Sequence, residues 1–169
     1  MISVPRIRTA TSADAQAALV YFSALQAENL STIFRVDSLP TLEEEFAFLR
    51  GFEVDPNSNW FAALSDDAIV GNLGLMAEAR PQTRHAAALG MSVLEPFRSA
   101  GLGSRLLETA LSWARSSDLR RIDIDVLQIN SGAIRLYERF GFSEHGRRPE
   151  AVLVGGEYID LIEMSQSVL

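Results

Sequence analysis

The chain has 169 residues, of which 47% are hydrophobic and 22% charged, a composition that fits one globular domain with a sizeable core. Its formal net charge of −7 argues against sequence-independent binding of nucleic acid, and the lack of cysteine excludes disulfides, thiolate metal sites and a cysteine nucleophile. No apolar run is long enough to span a membrane and the start lacks a signal-peptide pattern, so a cytoplasmic location is the default expectation.

Two helices are predicted to follow a short first strand. The strand is predicted over residues 5–11 and the first helix over residues 13–27. Thr41 is a capping residue and predicts the start of the second helix. In that helix we expect Leu42, Phe46 and Leu49 to face the core and Glu43, Glu44 and Glu45 to face mostly outward.

The remainder of the chain alternates between strands and helices. Strands are predicted over residues 59–65, 68–79, 86–94 and 120–127, a helix over residues 102–115, and a closing hairpin from residues 142–147 and 157–164. With a further helix before the hairpin, the order is β-α-α-β-β-β-α-β-α-β-β. This order predicts an α/β fold, more closely an α+β mixed sheet with helices on its faces, as a single domain over residues 1–169.

The turn between the central strand and the long helix has the pattern R-x-x-G-x-G, from Arg98 to Gly103. The first turn of a helix leaves N–H groups without partners, and these carry partial positive charge. Small residues let such groups converge on a phosphate, and Arg98 and Arg105 add full charges nearby. The pattern therefore indicates either a diphosphate-binding turn or simply a tight turn.

Two other phosphate-binding motifs do not fit this turn. A dinucleotide site requires G-x-G-x-x-G in an early strand-to-helix turn, whereas this turn lies past the middle of the chain. A P-loop requires a lysine, and the chain contains none.

A second motif follows from Asn130 to Phe142, with the pattern N-x-x-A-x-x-x-Y-x-x-x-G-F. The two motifs, in this order and separated by a helix and a strand, resemble the GNAT-type N-acetyltransferases. The resemblance is strongest over residues 89–142 and extends more weakly to residues 7–11 and 158–164. It implies a GNAT-like fold in which central parallel strands splay apart around residues 91–94 and 121–127.

The resemblance also implies a reaction and a cofactor. The reaction is transfer of an acetyl group from acetyl-CoA (coenzyme A) to a primary amine of a small molecule or peptide, by direct attack. The implied cofactor-binding residues are Met91, Ser92, Val93, Arg98, Ser99, Ala100, Gly101, Leu102, Gly103, Ser104, Asn130, Ala133 and Tyr137. An amide of the central strand near residues 91–93 would stabilise the oxyanion.

Tyr137 is the predicted catalytic acid, because it matches the tyrosine of the family block. A thiolate leaving group resembles that of cysteine, whose pKa is about 8.5, so protonation helps it leave. Tyr137 also shares a helical face with Ala133 and Phe140, which is the pattern of a core aromatic residue. Asn130 is read as a helix cap, a cofactor contact, or both.

The general base is left open among Glu28, Glu78, His85 and a chain of water molecules. The acceptor is open as well, because its expected pocket mixes acids with arginines. The residues expected around the acceptor are Glu28, Phe34, Arg35, Asp37, Trp60, Glu78, Arg80, Arg84, Arg147 and Arg148. Acids suit a polyamine or aminoglycoside, and arginines suit an amine that carries a carboxylate.

Two other functions remain as alternatives. One is a non-catalytic acyl-CoA-binding sensor or interaction module of the same fold. The other is a domain that uses the glycine turn for a different nucleotide. No nucleic-acid, membrane or metal partner is expected, and the dimers common in the resembled family leave a homodimer open.

Overall fold

The computed structural model describes residues 4–28 and 38–168. Apart from two short 3-10 helices, the order of elements in this part is β-α-α-β-β-β-α-β-α-β-β. The strands are β1 (Arg6–Thr9), β2 (Asn59–Ser65), β3 (Ala68–Ala77), β4 (Ala86–Val93), β5 (Arg121–Leu127), β6 (Ser143–Val154) and β7 (Glu157–Ser167). The helices are α1 (Ala15–Ala27), α2 (Leu42–Val54), α3 (Leu102–Ala114) and α4 (Ser131–Arg139).

All seven strands form one sheet, in the order β1-β2-β3-β4-β5-β7-β6. Each neighbouring pair is antiparallel except β4 and β5, which are parallel. The predicted mixed sheet is therefore confirmed. The closing hairpin is longer than predicted, since β6 continues to Val154 with two register shifts against β7.

The two faces of the sheet bury separate cores. Alternate residues of a strand point to opposite faces, and β2 shows this clearly. Trp60 and Ala62 pack with α1 and α2, whereas Phe61 and Ala63 pack in the cluster that includes α3. The helices α1 and α2 thus cover one face of the sheet, and α3 covers the other.

Local sequence signals correctly mark where two helices begin. Thr41 caps α2 in a capping box: Glu44 N–H donates to Thr41 Oγ1 at 3.2 Å, and Thr41 N–H donates to Glu44 Oε2 at 2.7 Å. Helix α3 begins after Gly101, whose φ of 81° lies in the left-handed region that favours glycine. The predicted cap at Thr41 and the predicted start of the long helix at Leu102 are both confirmed.

The predicted inward face of α2 is confirmed at Leu49 and wrong at Leu42 and Phe46, and the predicted outward position of Glu45 is wrong. Leu42 and Phe46 are 50% and 49% exposed, whereas Glu45 is only 3% exposed. The buried face is formed by Glu45, Leu49 and Phe52, which are four and three residues apart and so lie on one side of the helix. Leu49 and Phe52 pack in the core beneath α1, and this rotation of the helix turns Glu45 inward.

We expect Leu106→Ala to lower the free energy of unfolding by about 2–5 kcal/mol, because it leaves a cavity in a tightly packed core. Leu106 is 0% exposed in the α3 core. Leu153→Ala is the matched control, since Leu153 is 61% exposed and its truncation should change stability by less than about 0.5 kcal/mol. Urea unfolding of both variants measures the difference, and equal losses would contradict this account of the core.

Candidate active site

Strands β4 and β5 separate soon after they begin. They pair only through Ala86, Ala87 and Ala88, which lie opposite Arg121, Ile122 and Asp123. Both strands are described throughout, and no pairing between them continues past Ala88. A cavity of about 950 Å³ opens where they part, lined by β4 from Ala88 to Ser92 and by β5 from Ile124 to Leu127.

The free edge of β4 presents backbone donors to this gap. Leu94 N–H donates to Val70 O, and Ala86 O accepts from Glu78 N–H, each at 3.0 Å on the β3 side. Because backbone groups alternate in direction along a strand, the N–H groups of Met91 and Val93 point away from β3, toward the gap. The backbone groups of Ser92 point toward β3. Of the three predicted cofactor-binding residues in this strand, only Met91 and Val93 therefore present an N–H group to the gap.

The turn before α3 leaves its first N–H groups open to a ligand. Gly101 is the N-cap residue of α3, and no side chain caps the helix. The N–H groups of Leu102, Gly103 and Ser104 therefore lack partners within the helix. Ser99 has a φ of 58°, a strained conformation for a residue other than glycine. No atom lies within 4 Å of a Cβ placed on Gly101, so the approach to this helix end is open.

Arg98 holds the turn in place through two contacts. Its Nε–H donates to Val93 O at 2.8 Å, and its guanidinium forms an ion pair with Glu28. Glu28 Oε1 also accepts from the Glu95 N–H at 2.7 Å. The carboxylate of Glu28 is thus engaged in bracing the turn, and Glu28 does not line the cavity. A role for it as general base is a prediction that the geometry does not favour.

The other two base candidates lie at the closed end of the strand pair. Glu78 and His85 are both exposed and flank the connection from β3 to β4. The His85 carbonyl accepts from the N–H groups of Arg120 and Arg121, where β4 and β5 are still together. Neither residue is among those that line the cavity, so the structure does not bring them to Tyr137.

Tyr137 lies on α4 and lines the cavity where the two strands part. It is 3% exposed, and its ring packs against Phe142 with centroids 5.6 Å apart. Burial raises the pKa of the Tyr137 hydroxyl well above its ordinary value, because the phenolate is poorly solvated there. Tyr137 is therefore a core aromatic residue, as one of the two predictions has it, and it also lines the cavity; its role as the catalytic acid stays a prediction.

Asn130 marks the start of α4 beside the same cavity. Its side-chain Oδ1 accepts from Ala133 N–H at 3.2 Å, which confirms the predicted helix cap. Asn130 and Ala133 both line the cavity. Their contact with a cofactor stays a prediction.

Aromatic side chains line the end of the cavity beneath α1 and α2. Phe22 and Trp60 meet edge to face at 6.4 Å, and Phe48 and Phe52 do so at 5.1 Å. Gly74 makes room for this cluster, because a Cβ there would lie 3.2 Å from Trp60 Cδ1. This end is therefore apolar and ring-lined.

A polar cluster joins α1 to β4 at the side of this aromatic end. Tyr21 Oη lies 2.7 Å from Ser92 Oγ and 3.2 Å from Asn72 Oδ1, and Ser92 Oγ donates to Asn72 Oδ1 at 2.6 Å. Burial raises the pKa of the Tyr21 hydroxyl as well. The Ser92 side chain is thus held by protein partners, which leaves its predicted cofactor contact as a prediction only.

Three of the arginines expected around the acceptor, Arg84, Arg147 and Arg148, form ion pairs with acids of the chain. Arg84 forms an ion pair with Asp55 at 2.6 Å, and Arg148 pairs with Asp125 and, at 2.8 Å, with Glu163. Arg147 lies 3.3 Å from Glu144. No arginine or histidine occurs among the described residues that line the cavity. The expected acceptor residues Phe34, Arg35 and Asp37 lie outside the described residues.

Glu45 is a titratable cavity residue that the sequence does not single out as part of a site. It was assigned to the outer face of α2, yet it lines the cavity and is 3% exposed. Its Oε1 has no hydrogen-bond partner among the described residues, and burial raises its pKa. The signal that could have identified it is its spacing from Leu49 and Phe52, which recurs on one helical face.

The model of the acetyltransferase (GNAT) family matches residues 24–142. This chain belongs to that family. It is accordingly an acetyl-CoA-dependent acyltransferase, and the predictions of family, enzyme class and cofactor are confirmed. The open N-terminus of α3 and the free edge of β4 are groups suited to the diphosphate and the amide-rich arm of coenzyme A.

Two relatives with similar sequences are also N-acetyltransferases by name. The L-amino acid N-acetyltransferase AaaT of Escherichia coli (strain K12) is 29% identical over 115 residues, which cover 66% of this chain and 69% of that protein. The uncharacterized N-acetyltransferase YycN of Bacillus subtilis (strain 168) is 32% identical over 95 residues, covering 56% and 61% of the two chains.

The crystal structure of a GNAT-family acetyltransferase from Streptococcus pneumoniae superposes with a TM-score of 0.89 at 28% identity, covering 98% of this chain and 99% of that one. This similarity supports the GNAT fold over nearly the whole chain. No helix in the described part of the chain is long and apolar enough to cross a membrane.

We expect the Tyr137 phenol to stay protonated in the folded protein at a pH where free phenols ionise. Absorbance titration between about pH 9 and 11 should give the same phenolate signal for wild type and Tyr137→Phe. In denaturant, the variant should show one phenol fewer, because unfolding removes the burial that raises the pKa of Tyr137. A lower phenolate signal for the folded variant in that range would contradict the assigned environment.

Proposed function

We propose that this enzyme transfers an acetyl group from acetyl-CoA to the primary amine of a small molecule or peptide by direct attack. The observation that carries the proposal is the parting of β4 and β5 with Tyr137 on the wall of the resulting cavity. The chain has no cysteine, so no acyl-cysteine intermediate is available, which favours direct attack.

Residues of this chain fit each part of the proposed reaction. Acetyl-CoA supplies a thioester whose carbonyl carbon is attacked. The Met91 N–H, which points into the gap, would donate to the developing oxyanion. The Tyr137 hydroxyl would donate its proton to the departing thiolate sulfur, since burial keeps that phenol protonated. The first-turn N–H groups of α3, at residues 102–104, would hold the diphosphate.

The acceptor is proposed only as an amine. The relative from Escherichia coli is named for L-amino acids, which makes amino acids one group of acceptors to test. A cytoplasmic location, a homodimer and a single domain over residues 1–169 also stay proposals.

Screening a panel of amines for release of free thiol from acetyl-CoA tests the proposal directly. We expect at least one acceptor class, among amino acids, polyamines, aminoglycosides, aryl-alkyl amines and peptide N-termini, to raise the rate above hydrolysis. Binding of coenzyme A, but not of NAD or ATP, should be seen by calorimetry. If no amine is acetylated although coenzyme A binds, the non-catalytic acyl-CoA sensor becomes the better assignment.

Tyr137→Phe should lower kcat by about 10²–10⁴-fold and leave the affinity for coenzyme A nearly unchanged, because it removes only the proton donor. Tyr158→Phe is the matched control, since Tyr158 is 67% exposed and does not line the cavity. Steady-state kinetics with the best acceptor and calorimetry with coenzyme A measure the two effects. An unchanged kcat for Tyr137→Phe would remove this residue from the mechanism.

A further inference from the structure

Glu45 is a buried carboxylate at the ring-lined end of the cavity. It stands one turn before Leu49 on the inward face of α2, and it lines the cavity together with Phe48 and Phe52. It is 3% exposed, and its Oε1 has no hydrogen-bond partner among the described residues. A charged carboxylate in such a position is costly, because burial removes water from Oε1 without supplying a compensating partner among the described residues.

The other acids that line the cavity are already held. Glu44 accepts from the Thr41 N–H at 2.7 Å in the helix cap, and Asp125 is paired with Arg148. The described lining residues include no cation that could neutralise Glu45. Glu45 is therefore the acid of this cavity whose described surroundings leave room for a cationic ligand.

We infer that Glu45 binds the ammonium group of the acceptor and accepts its proton, and that the acceptor carries this amine on an apolar, ring-sized body. The inference rests on the proposed acetyl transfer and names the acceptor class for it. A free alkylamine enters largely as the ammonium ion at neutral pH. Transfer of the proton breaks one N–H bond, forms one O–H bond on Glu45, and leaves the lone pair on nitrogen for attack.

Two further observations fit this role. The rings of Phe22, Trp60, Phe48 and Phe52 offer an apolar wall to the body of the amine, and aromatic faces also favour a nearby cation. Burial raises the pKa of Glu45, which makes its carboxylate a stronger proton acceptor than an exposed one. Both effects come from the same apolar surroundings.

Calorimetry with two probes of the same shape tests the inference. In the presence of coenzyme A, the wild-type protein should bind 2-phenylethylamine more tightly than 2-phenylethanol, which carries no charge at neutral pH. Glu45→Gln should weaken binding of the amine by at least about tenfold and leave binding of the alcohol unchanged. Glu43→Gln is the matched control: it removes one exposed charge from the same helix and should change neither affinity.

Other results of this experiment would overturn the inference. These are failure of the wild type to bind the amine, equal losses for the amine and the alcohol, or no loss for the amine. Glu45→Asp keeps the charge and should retain the preference for the amine, which separates charge from side-chain shape. A marked loss of thermal stability in Glu45→Gln would show that Glu45 has a structural partner within the chain, and would also overturn the inference.

Turnover distinguishes this inference from the proposed function. If 2-phenylethylamine binds through Glu45 but neither it nor any other amine of the panel is acetylated, the acetyl-transfer proposal fails and only the assignment of Glu45 as the ammonium-binding group stands. If the enzyme acetylates other amines with rates that do not respond to Glu45→Gln, the function stands and the inference fails. Thiol release from acetyl-CoA with the same variants provides this second measurement.

Discussion

The separation of β4 and β5 after Ala88 is the feature on which the site depends. A parallel pair that continued would use its backbone groups within the sheet, and no cavity would form between the strands. Here the N–H groups of Met91 and Val93 lose a strand partner, which is unfavourable unless another group replaces it. A ligand with amide groups along its length can supply that replacement. A bound cofactor would in this way take the place of a neighbouring strand along the free edge of β4.

Helix α1 supports the β4 side of this gap at two points. Through Tyr21 it contacts Ser92 of β4, on the face where the aromatic residues line the cavity. Through Glu28, just after its last turn, it holds Arg98 and the Glu95 N–H in the segment that leads into α3. A shift of α1 would therefore move both the edge of β4 and the entrance of α3. Arg98 has a structural role in this coupling, because its guanidinium binds Glu28 of α1 and the Val93 carbonyl of β4.

The sequence predicted those features whose signals are local. Thr41 and Asn130 cap the helices that follow them, and the start of α3 follows from Gly101, because each signal acts within a few residues. The role of Glu28 was not predictable in this way, since its partner Arg98 is 70 residues away. The inward position of Glu45 depends on how α2 packs against α1; within the run of three glutamates only its spacing from Leu49 and Phe52 distinguishes it, and Leu42 and Phe46 offer a competing apolar face.

Burial raises the pKa of two groups that line the cavity, Tyr137 and Glu45, and the consequences for proton transfer differ. At Tyr137 it disfavours the phenolate and so preserves a proton that can be donated. At Glu45 it disfavours the carboxylate and so increases its tendency to take a proton. In water a phenol is too weak an acid to protonate a thiolate readily, and a carboxylate is too weak a base to take a proton readily from an ammonium ion. Burial in an apolar cavity makes the carboxylate a stronger base but makes the phenol a weaker acid. In its proposed role Tyr137 would therefore gain its effect from its position next to the leaving sulfur, whereas Glu45, in the role inferred for it, would gain from its environment.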